Sequence, residues 1–331
     1  MRVFRGLEHA GLAPATALTI GNFDGVHRGH QAMLALLAGE ARQRGLPATV
    51  LTFEPHPRDY FYATRGGPAP PARIASLRDK LCALAAAGID RTVVLRFNAE
   101  LARLSAQDFI QRVLVDGLRV RYVLVGDDFR YGAQRSGDYT LLDAAGGALG
   151  FDVARMQSYE VHGMRVSSSA VRSALAQGDL NAAAALLGRP YAISGHVVHG
   201  ARLGRNLGFP TLNLRLPHAR PAAMGIFVAR VHGLASTSLP SVASLGLRPT
   251  VDETGRVLLE VHVLDWPAAL GTEGGYGKLV RVELLHKLRD EARYDGLPAL
   301  TDAIRRDADA ARAWFAATHD AERRQTTRDR I

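Results

Sequence analysis

Cysteine is almost missing from this chain: Cys82 is the only one in 331 residues. That excludes an intramolecular disulfide and fits a reducing, cytoplasmic compartment. Cys82 lies in the helical stretch LCALAAAG and reads as core packing, not as a nucleophile. Lysine is almost as scarce. It occurs at Lys80, Lys278 and Lys287, each followed by leucine. A P-loop needs Gly-x-x-x-x-Gly-Lys-Ser/Thr, so the chain does not handle nucleotides by that device. No apolar run reaches the roughly 18 residues that a bilayer span requires. Arg2 and Arg5 before LAPATALTI give a weak signal-peptide pattern. The run leads directly into a turn and a helix without a clear cleavage site, so it reads as a first strand.

What the chain does have is ordinary bulk composition, 47% apolar and 22% charged, with a net charge of +9 carried almost entirely by arginine. Its length suggests about two domains. A nucleic-acid protein would gather its basic residues into a patch or arm. Here the arginines are spread along the chain, and the C-terminal ERRQTTRDRI mixes both signs. Polyanionic small molecules are the expected partners, with no specific nucleic acid and no membrane. The sequence leaves a homo-oligomer open. A basic regulatory protein that binds nucleic acid is the reading from another functional class, and a salt-dependent gel shift would favour it.

Strand and helix patterns alternate through the first half. TALTI precedes the helical HQAMLALLAGEARQRG, then come ATVLTF, a helix around Ile74 to Ala87, RTVVLRF, a helix around Ala106 to Gly117, and YVLVG. Short continuous apolar strands between amphipathic helices predict an α/β domain with a parallel sheet covered on both faces. Residues 63–73, ATRGGPAPPAR, read as a loop. From Tyr191 the pattern changes to strands separated by Gly, Pro and Asn, which predicts an antiparallel barrel or sandwich closed by a final helix, LPALTDAIRRDADAARAWFAA. The expected domains are 1–187 and 188–320, with 321–331 a frayed tail.

Two stretches carry chemistry. In IGNFDGVHRGHQAML, residues 20–34, a strand ends at Gly21 and a helix begins near His27 to His30. The free N–H groups and dipole of a helix start favour an anion. His27 and His30 share a helix face at a spacing of three, and Gly29 permits close backbone approach. The pattern reads as a phosphate cradle in which two histidine donors, or imidazolium ions, stabilise charge on a transferring phosphate. The plainer alternative is a turn whose histidines cap a helix. A second cap-like stretch, SSSAVRSAL, offers hydroxyls, N–H groups and an arginine. Asp24 reads as a turn acid and not as a metal ligand.

In HGARLGRNLGFPTLNL, residues 199–214, Gly200, Gly204 and Gly208 are four apart with Arg202 and Arg205 between them. Such a basic glycine loop suits phosphate. Thr211 and Asn213 are two apart, so on a strand they share a face and present hard oxygens suited to Mg²⁺. In LLEVHVLDW, alternation puts Glu260 and His262 on one strand face and Val261 and Val263 on the other. Glu260 has the chemistry of a general base; a lone acid on a wet strand face is the other reading.

These motifs carry a family resemblance. His-x-Gly-His after a first strand resembles the nucleotidyltransferase superfamily. The longer GNFDGVHRGHQ, with TFEPHP (52–57), VGDDFRYG (125–132) and RVSSSAVR (165–172), resembles the prokaryotic bifunctional riboflavin kinase/FAD synthetases. GRNLGFPTLNL resembles the same family's kinase signature, with Leu212 where Pro-Thr-Ala-Asn is usual. KLRDEARYDGLPAL, residues 287–300, resembles its flavin-side segment. Ser244 stands where relatives usually have asparagine, and GYG at Gly275 to Gly277 where Leu-Tyr-Gly is frequent.

The resemblance implies a Rossmann-like FMN adenylyltransferase domain followed by a riboflavin kinase β-barrel. Riboflavin, FMN and FAD would be substrates and products, and ATP with Mg²⁺ the phosphate source. It assigns His27 and His30 to the ATP phosphates, with Gly21, Phe23 and Gly29 around them and Asp128 near the adenosine. Ser168, Ser169, Arg172 and Arg165 would bind phosphate, as would Gly200, Arg205 and Gly208 in the barrel. Thr211 and Asn213 would hold Mg·ATP, Glu260 would be catalytic, and Arg289 and Glu291 would close the flavin site. A different nucleotidyltransferase with a flavin-binding accessory barrel is the runner-up. Such a barrel would not need Thr211, Asn213 and Glu260 together.

Overall fold

The computed structural model describes all residues except 10, 13, 14, 158, 162, 163, 201, 202, 217–219, 248–256 and 329–331, and the side chains of 161, 164, 203, 206, 247 and 320–328. Arg202 and the Pro-Thr pair at 249–250 therefore lie outside the described residues. The chain forms two compact units. One comprises Met1–Pro71 and Leu77–Ser168, the other Ala72–Ser76 and Ser169–Ile331.

The first unit is built on a six-stranded, fully parallel sheet of β1 (Arg2–Arg5), β2 (Thr16–Ile20), β3 (Ala48–Glu54), β4 (Arg91–Arg96), β5 (Val120–Gly126) and β6 (Asp152–Met156). The spatial order is β1-β4-β3-β2-β5-β6. Every residue of β2 is buried. Alternate residues feed two different cores: Leu18, Leu51, Val93 and Val123 join one apolar cluster, Ala17, Val50 and Leu124 the other. Burial on both faces is why these strands read as continuous apolar runs. The order reverses between β2 and β5, so the loops leaving their C-terminal ends flank the crevice where α/β sheets bind ligands.

The helix Arg28–Gln43 buries Leu34, Leu37, Ala38 and Ala41. The i, i+3, i+4, i+7 spacing puts all four on one stripe, and each leucine contributes about 1.5–3 kcal/mol of burial. The helix expected around Ile74 to Ala87 is Leu77–Ala86, and its buried face carries Lys80 and Leu84. Cys82, expected in the core, is exposed, because it sits two residues from each and so on the opposite side of the helix. The stretch around Ala106 to Gly117 is a single α-turn, Ala106–Asp108, that continues as a π-helix over Phe109–Gly117. The short pair β7 (Glu160–Val161) and β8 (Met164–Arg165) follows β6.

In the second unit the barrel-or-sandwich alternative resolves to a barrel. Its strands are β9 (Ala192–Val198), β10 (Leu212–Arg215), β11 (Gly225–His232), β12 (Leu239–Leu247), β13 (Val257–Val263) and β14 (Leu279–Arg289). They close in the order β10-β13-β12-β11-β14-β9, each pair antiparallel. Closure leaves no unpaired edge. The helix Leu297–Arg328 packs on the barrel wall, where Ala308 and Ala311 join Val228 and Leu264, with Trp314 and Phe315 beside them.

Candidate functional site

In the first unit the loop after β2 forms a tight turn. Phe23 and Val26 adopt φ values of 48° and 43°, in the left-handed region that non-glycine residues rarely enter. Phe23 is buried, and its ring lies 5.0 Å from that of His30. A Cβ on Gly21 would meet the Phe23 ring at 3.1 Å, so this glycine makes room for the support of the histidine. His27 and His30 stack, with ring centroids 3.6 Å apart and planes within 15°. His27 is also the N-cap of the following helix: its Nδ1 accepts the backbone N–H of His30 at 3.3 Å. The helix-cap reading therefore holds for His27. With Nδ1 accepting, the neutral ring carries its proton on Nε2, a ready donor.

One further segment, Val166 to Ser168, reaches this corner. The Ser168 hydroxyl donates to the Asp24 carbonyl at 3.1 Å. A Cβ on Gly29 would meet both the His27 ring and the Val166 carbonyl at 3.3 Å, so the bare Cα is what lets these pieces close together. Arg165 pairs with Asp127 at 3.4 Å, while Asp128 is exposed at the end of β5. Ser169 and Arg172 lie on the helix Ser168–Gln177. Ser169 is exposed, and Arg172 Nε donates to the Ala72 carbonyl at 2.7 Å.

Beneath the two histidines lies Lys80, to which no sequence motif assigns a role. Lys80 is fully buried, and its Nζ donates to Thr52 Oγ1 at 3.3 Å. Thr52 in turn reaches the Asn22 carbonyl in the turn at 3.4 Å. A lysine on the apolar side of a helix, four residues from Leu84, was the available signal. Burial, then the charge of His27, then that of Lys80 hold His30 well below the usual histidine range. His30 is thus neutral at pH 7, and its buried Nδ1 meets no partner among the described residues. Just below pH 6.5 the unfolded chain binds this proton and the native state does not, so acidification there costs stability.

The barrel site follows from strand register. Asn213 on β10 pairs with Glu260 on β13, Glu260 with Ser244 on β12, Ser244 with Ile226 on β11, and Ile226 with Arg289 on β14. Directly opposed residues point to the same side. All of these side chains line one pocket on the barrel wall, together with Gly204, Thr211, His262, Glu291 and Asp307. The burial of β13 alternates, with Val261 and Val263 buried and Glu260 and His262 partly open, as the sequence pattern required. Thr211 sits just before β10 and not within it, yet it faces the same pocket.

Asn213 is only 4% exposed. Its Nδ2 donates to the Thr211 carbonyl at 3.2 Å, and its Oδ1 meets no donor among the described residues. A buried, unpartnered hard oxygen beside a threonine fits a cation such as Mg²⁺. Gly200 backs this arrangement: a Cβ there would lie 2.6 Å from the Asn213 carboxamide. Gly200→Ala is expected to displace Asn213 and cut the rate of a cation-dependent reaction in this pocket on the order of tenfold to a hundredfold, with chemistry at the His27–His30 corner unchanged in the same preparation.

The other assigned residues divide. His262 Nδ1 donates to the Pro210 carbonyl at 2.9 Å, tying β13 to the segment before Thr211, and burial lowers its pKa. The Glu291 carboxylate occupies the space where a Cβ on Gly246 would be, and burial raises its pKa. Arg289 pairs with Asp307 of the C-terminal helix. Arg205, expected at phosphate, pairs with Glu273 at 3.1 Å and donates to the Thr272 carbonyl. Gly208 sits at φ 85° in the turn before Phe209. His262 and Asp307 were not assigned from sequence. Alternation placed His262 beside Glu260, but no local pattern links Asp307 to β14.

Among the described residues no helix is long and apolar enough to cross a membrane. The FAD synthetase family pattern matches residues 11–170, and the riboflavin kinase family pattern matches 187–315. A bifunctional riboflavin kinase/FMN adenylyltransferase of Escherichia coli (strain K12) is 46% identical over 97% of this chain and 100% of its own length. One from Pseudomonas fluorescens is 45% identical over 95% of this chain and 97% of its own. A solved structure titled as a macrolide-efflux protein from Streptococcus pneumoniae superposes with a TM-score of 0.73. It is 26% identical and covers 95% of this chain and 100% of that one.

Proposed function

The chain belongs to the bifunctional riboflavin kinase/FMN adenylyltransferase family, and from that premise we propose that it phosphorylates riboflavin to FMN in the barrel and adenylylates FMN to FAD in the parallel-sheet unit. The observation that carries the kinase half is the row Asn213–Glu260–Ser244 across three neighbouring strands. It places a carboxylate beside a candidate cation ligand, which a mere flavin-binding wall would not need. We take residues 1–187 as the adenylyltransferase part and 188–320 as the kinase part.

Glu260 takes the proton from the ribityl 5′-hydroxyl of riboflavin. The freed oxygen attacks the γ-phosphorus of ATP, the bond to the β–γ bridging oxygen breaks, and ADP leaves. Thr211 and Asn213 would hold Mg²⁺, which when bound with ATP neutralises phosphate charge. His262 fixes the backbone just before Thr211 through the Pro210 carbonyl. Glu291, whose carboxyl faces the same pocket, and Arg289 close the flavin end.

In the first unit an oxygen of the FMN phosphate attacks the α-phosphorus of a second ATP. The bond to the α–β bridging oxygen breaks, and pyrophosphate leaves. The nucleophile is already ionised, so the site needs donors for developing charge and not a carboxylate base. His27 Nε2–H and a neutral His30 supply them, with Ser168 and Arg165 in the same unit; Ser169 and Arg172 are assigned to phosphate by the resemblance of RVSSSAVR alone. Asp128 serves the adenosine end. A cytoplasmic setting is part of the same proposal.

Metal removal tests the cation assignment. EDTA is expected to stop riboflavin phosphorylation and added Mg²⁺ to restore it. Asn213→Ala is expected to raise the Mg²⁺ concentration for half-maximal rate by tenfold or more. An unchanged Mg²⁺ requirement in Asn213→Ala would remove Asn213 from the metal set.

A further inference from the structure

Arg289 is held from three directions. Its Nε donates to Asp307 Oδ1 at 2.9 Å, one terminal nitrogen donates to Asp307 Oδ2 at 2.6 Å, and the other donates to the Asp290 carbonyl at 3.0 Å. The Tyr294 ring lies 5.7 Å from the guanidinium carbon. Asp307 is only 8% exposed, and it reaches Arg289 from the C-terminal helix, 18 residues further along the chain. The bidentate pair raises the arginine pKa and fixes the fork in plane. A guanidinium carries five N–H donors. Among the described residues three are spent on these bonds, and two remain on a group that lines the pocket.

A buried carboxylate on this arginine changes what the arginine offers. A lone guanidinium would bring a net positive charge into the pocket and favour phosphorylated ligands. Cancelled by Asp307, it presents directed N–H donors with little net charge, which suits the neutral carbonyl acceptors of a flavin ring. We propose that Asp307 is a positioning residue of the kinase site: it aims and neutralises Arg289, so that the pocket prefers uncharged riboflavin over its own anionic product, FMN. This rests on the kinase reading above and extends the site to the C-terminal helix.

The test uses the full-length chain and initial rates of labelled riboflavin consumption, with and without added FMN. In Asp307→Asn the riboflavin KM is expected to rise on the order of tenfold, with the ATP KM unchanged. The FMN inhibition constant is expected to move less, so that the ratio of FMN inhibition constant to riboflavin KM falls at least threefold. Asp307→Glu keeps the charge and moves the fork: riboflavin KM is expected to rise while the ratio stays at the wild-type value. If both flavin constants shift together in Asp307→Asn, or neither shifts while the melting temperature drops, Asp307 is a staple for the helix and the proposal fails. If Asp307→Asn does not fold, an unchanged riboflavin KM in Asp307→Glu overturns it equally. A wild-type chain that consumes no riboflavin sinks the kinase reading itself, before any variant is compared.

Discussion

Replacing Glu260 with glutamine is expected to lower FMN formation by about a thousandfold, within the range for loss of a general base, and to leave FMN-to-FAD conversion within twofold of wild type. The substitution keeps the side-chain length and the strand pairing with Asn213 and Ser244. The fold of β13 rests on Val257, Leu259, Val261 and Val263, which face away from the pocket and stay buried. Loss of rate with an unchanged melting temperature would therefore report chemistry and not stability. Retained FMN formation would mean that the barrel acts without Glu260, and the register argument would lose its central residue.

The mirror experiment concerns the stacked histidines. His27→Ala combined with His30→Ala is expected to reduce FMN adenylylation by about ten-thousandfold, since one lost transition-state donor is worth about a hundredfold to a thousandfold. Riboflavin phosphorylation should persist. Because His27 also caps the helix Arg28–Gln43, its loss costs about 1 kcal/mol of stability in addition. His27→Asn separates the two roles, because asparagine caps well but lacks the Nε2 donor. It should retain the wild-type melting temperature while losing most of the adenylylation rate. Full activity in His27→Asn would reduce His27 to a cap.

Much of this was legible in the sequence because the signals are local. The continuous apolar β2 and β3 announced a sheet covered on both faces, and the alternation in β13 placed Glu260 and His262 together before any strand pairing was visible. The His27–His30 spacing pointed to a helix start and to histidines that cap it, though not to the stacked rings. The remainder depends on contacts that sequence distance hides. Whether β9 to β14 close into a barrel or pack as a sandwich depends on the β10–β9 pairing, which no single strand encodes. Arg205 reads as a phosphate ligand in the sequence, where its pairing with Glu273, 68 residues away, leaves no trace. Cys82, expected in the core, is exposed because the helix Leu77–Ala86 turns Lys80 inward instead, towards Thr52. A buried lysine inverts the usual rule for that residue, and the rule is sound only when no polar partner waits inside.

The central claim is that one chain carries both reactions in sequence. The most direct measurement incubates the purified protein with riboflavin, Mg²⁺ and ATP and separates the flavins by chromatography with fluorescence detection over time. The account predicts that FMN appears first and FAD follows at its expense. FMN that never becomes FAD would contradict the His27–His30 assignment. FAD formed only when FMN is supplied would contradict the Glu260 site, and the absence of any new flavin would contradict both.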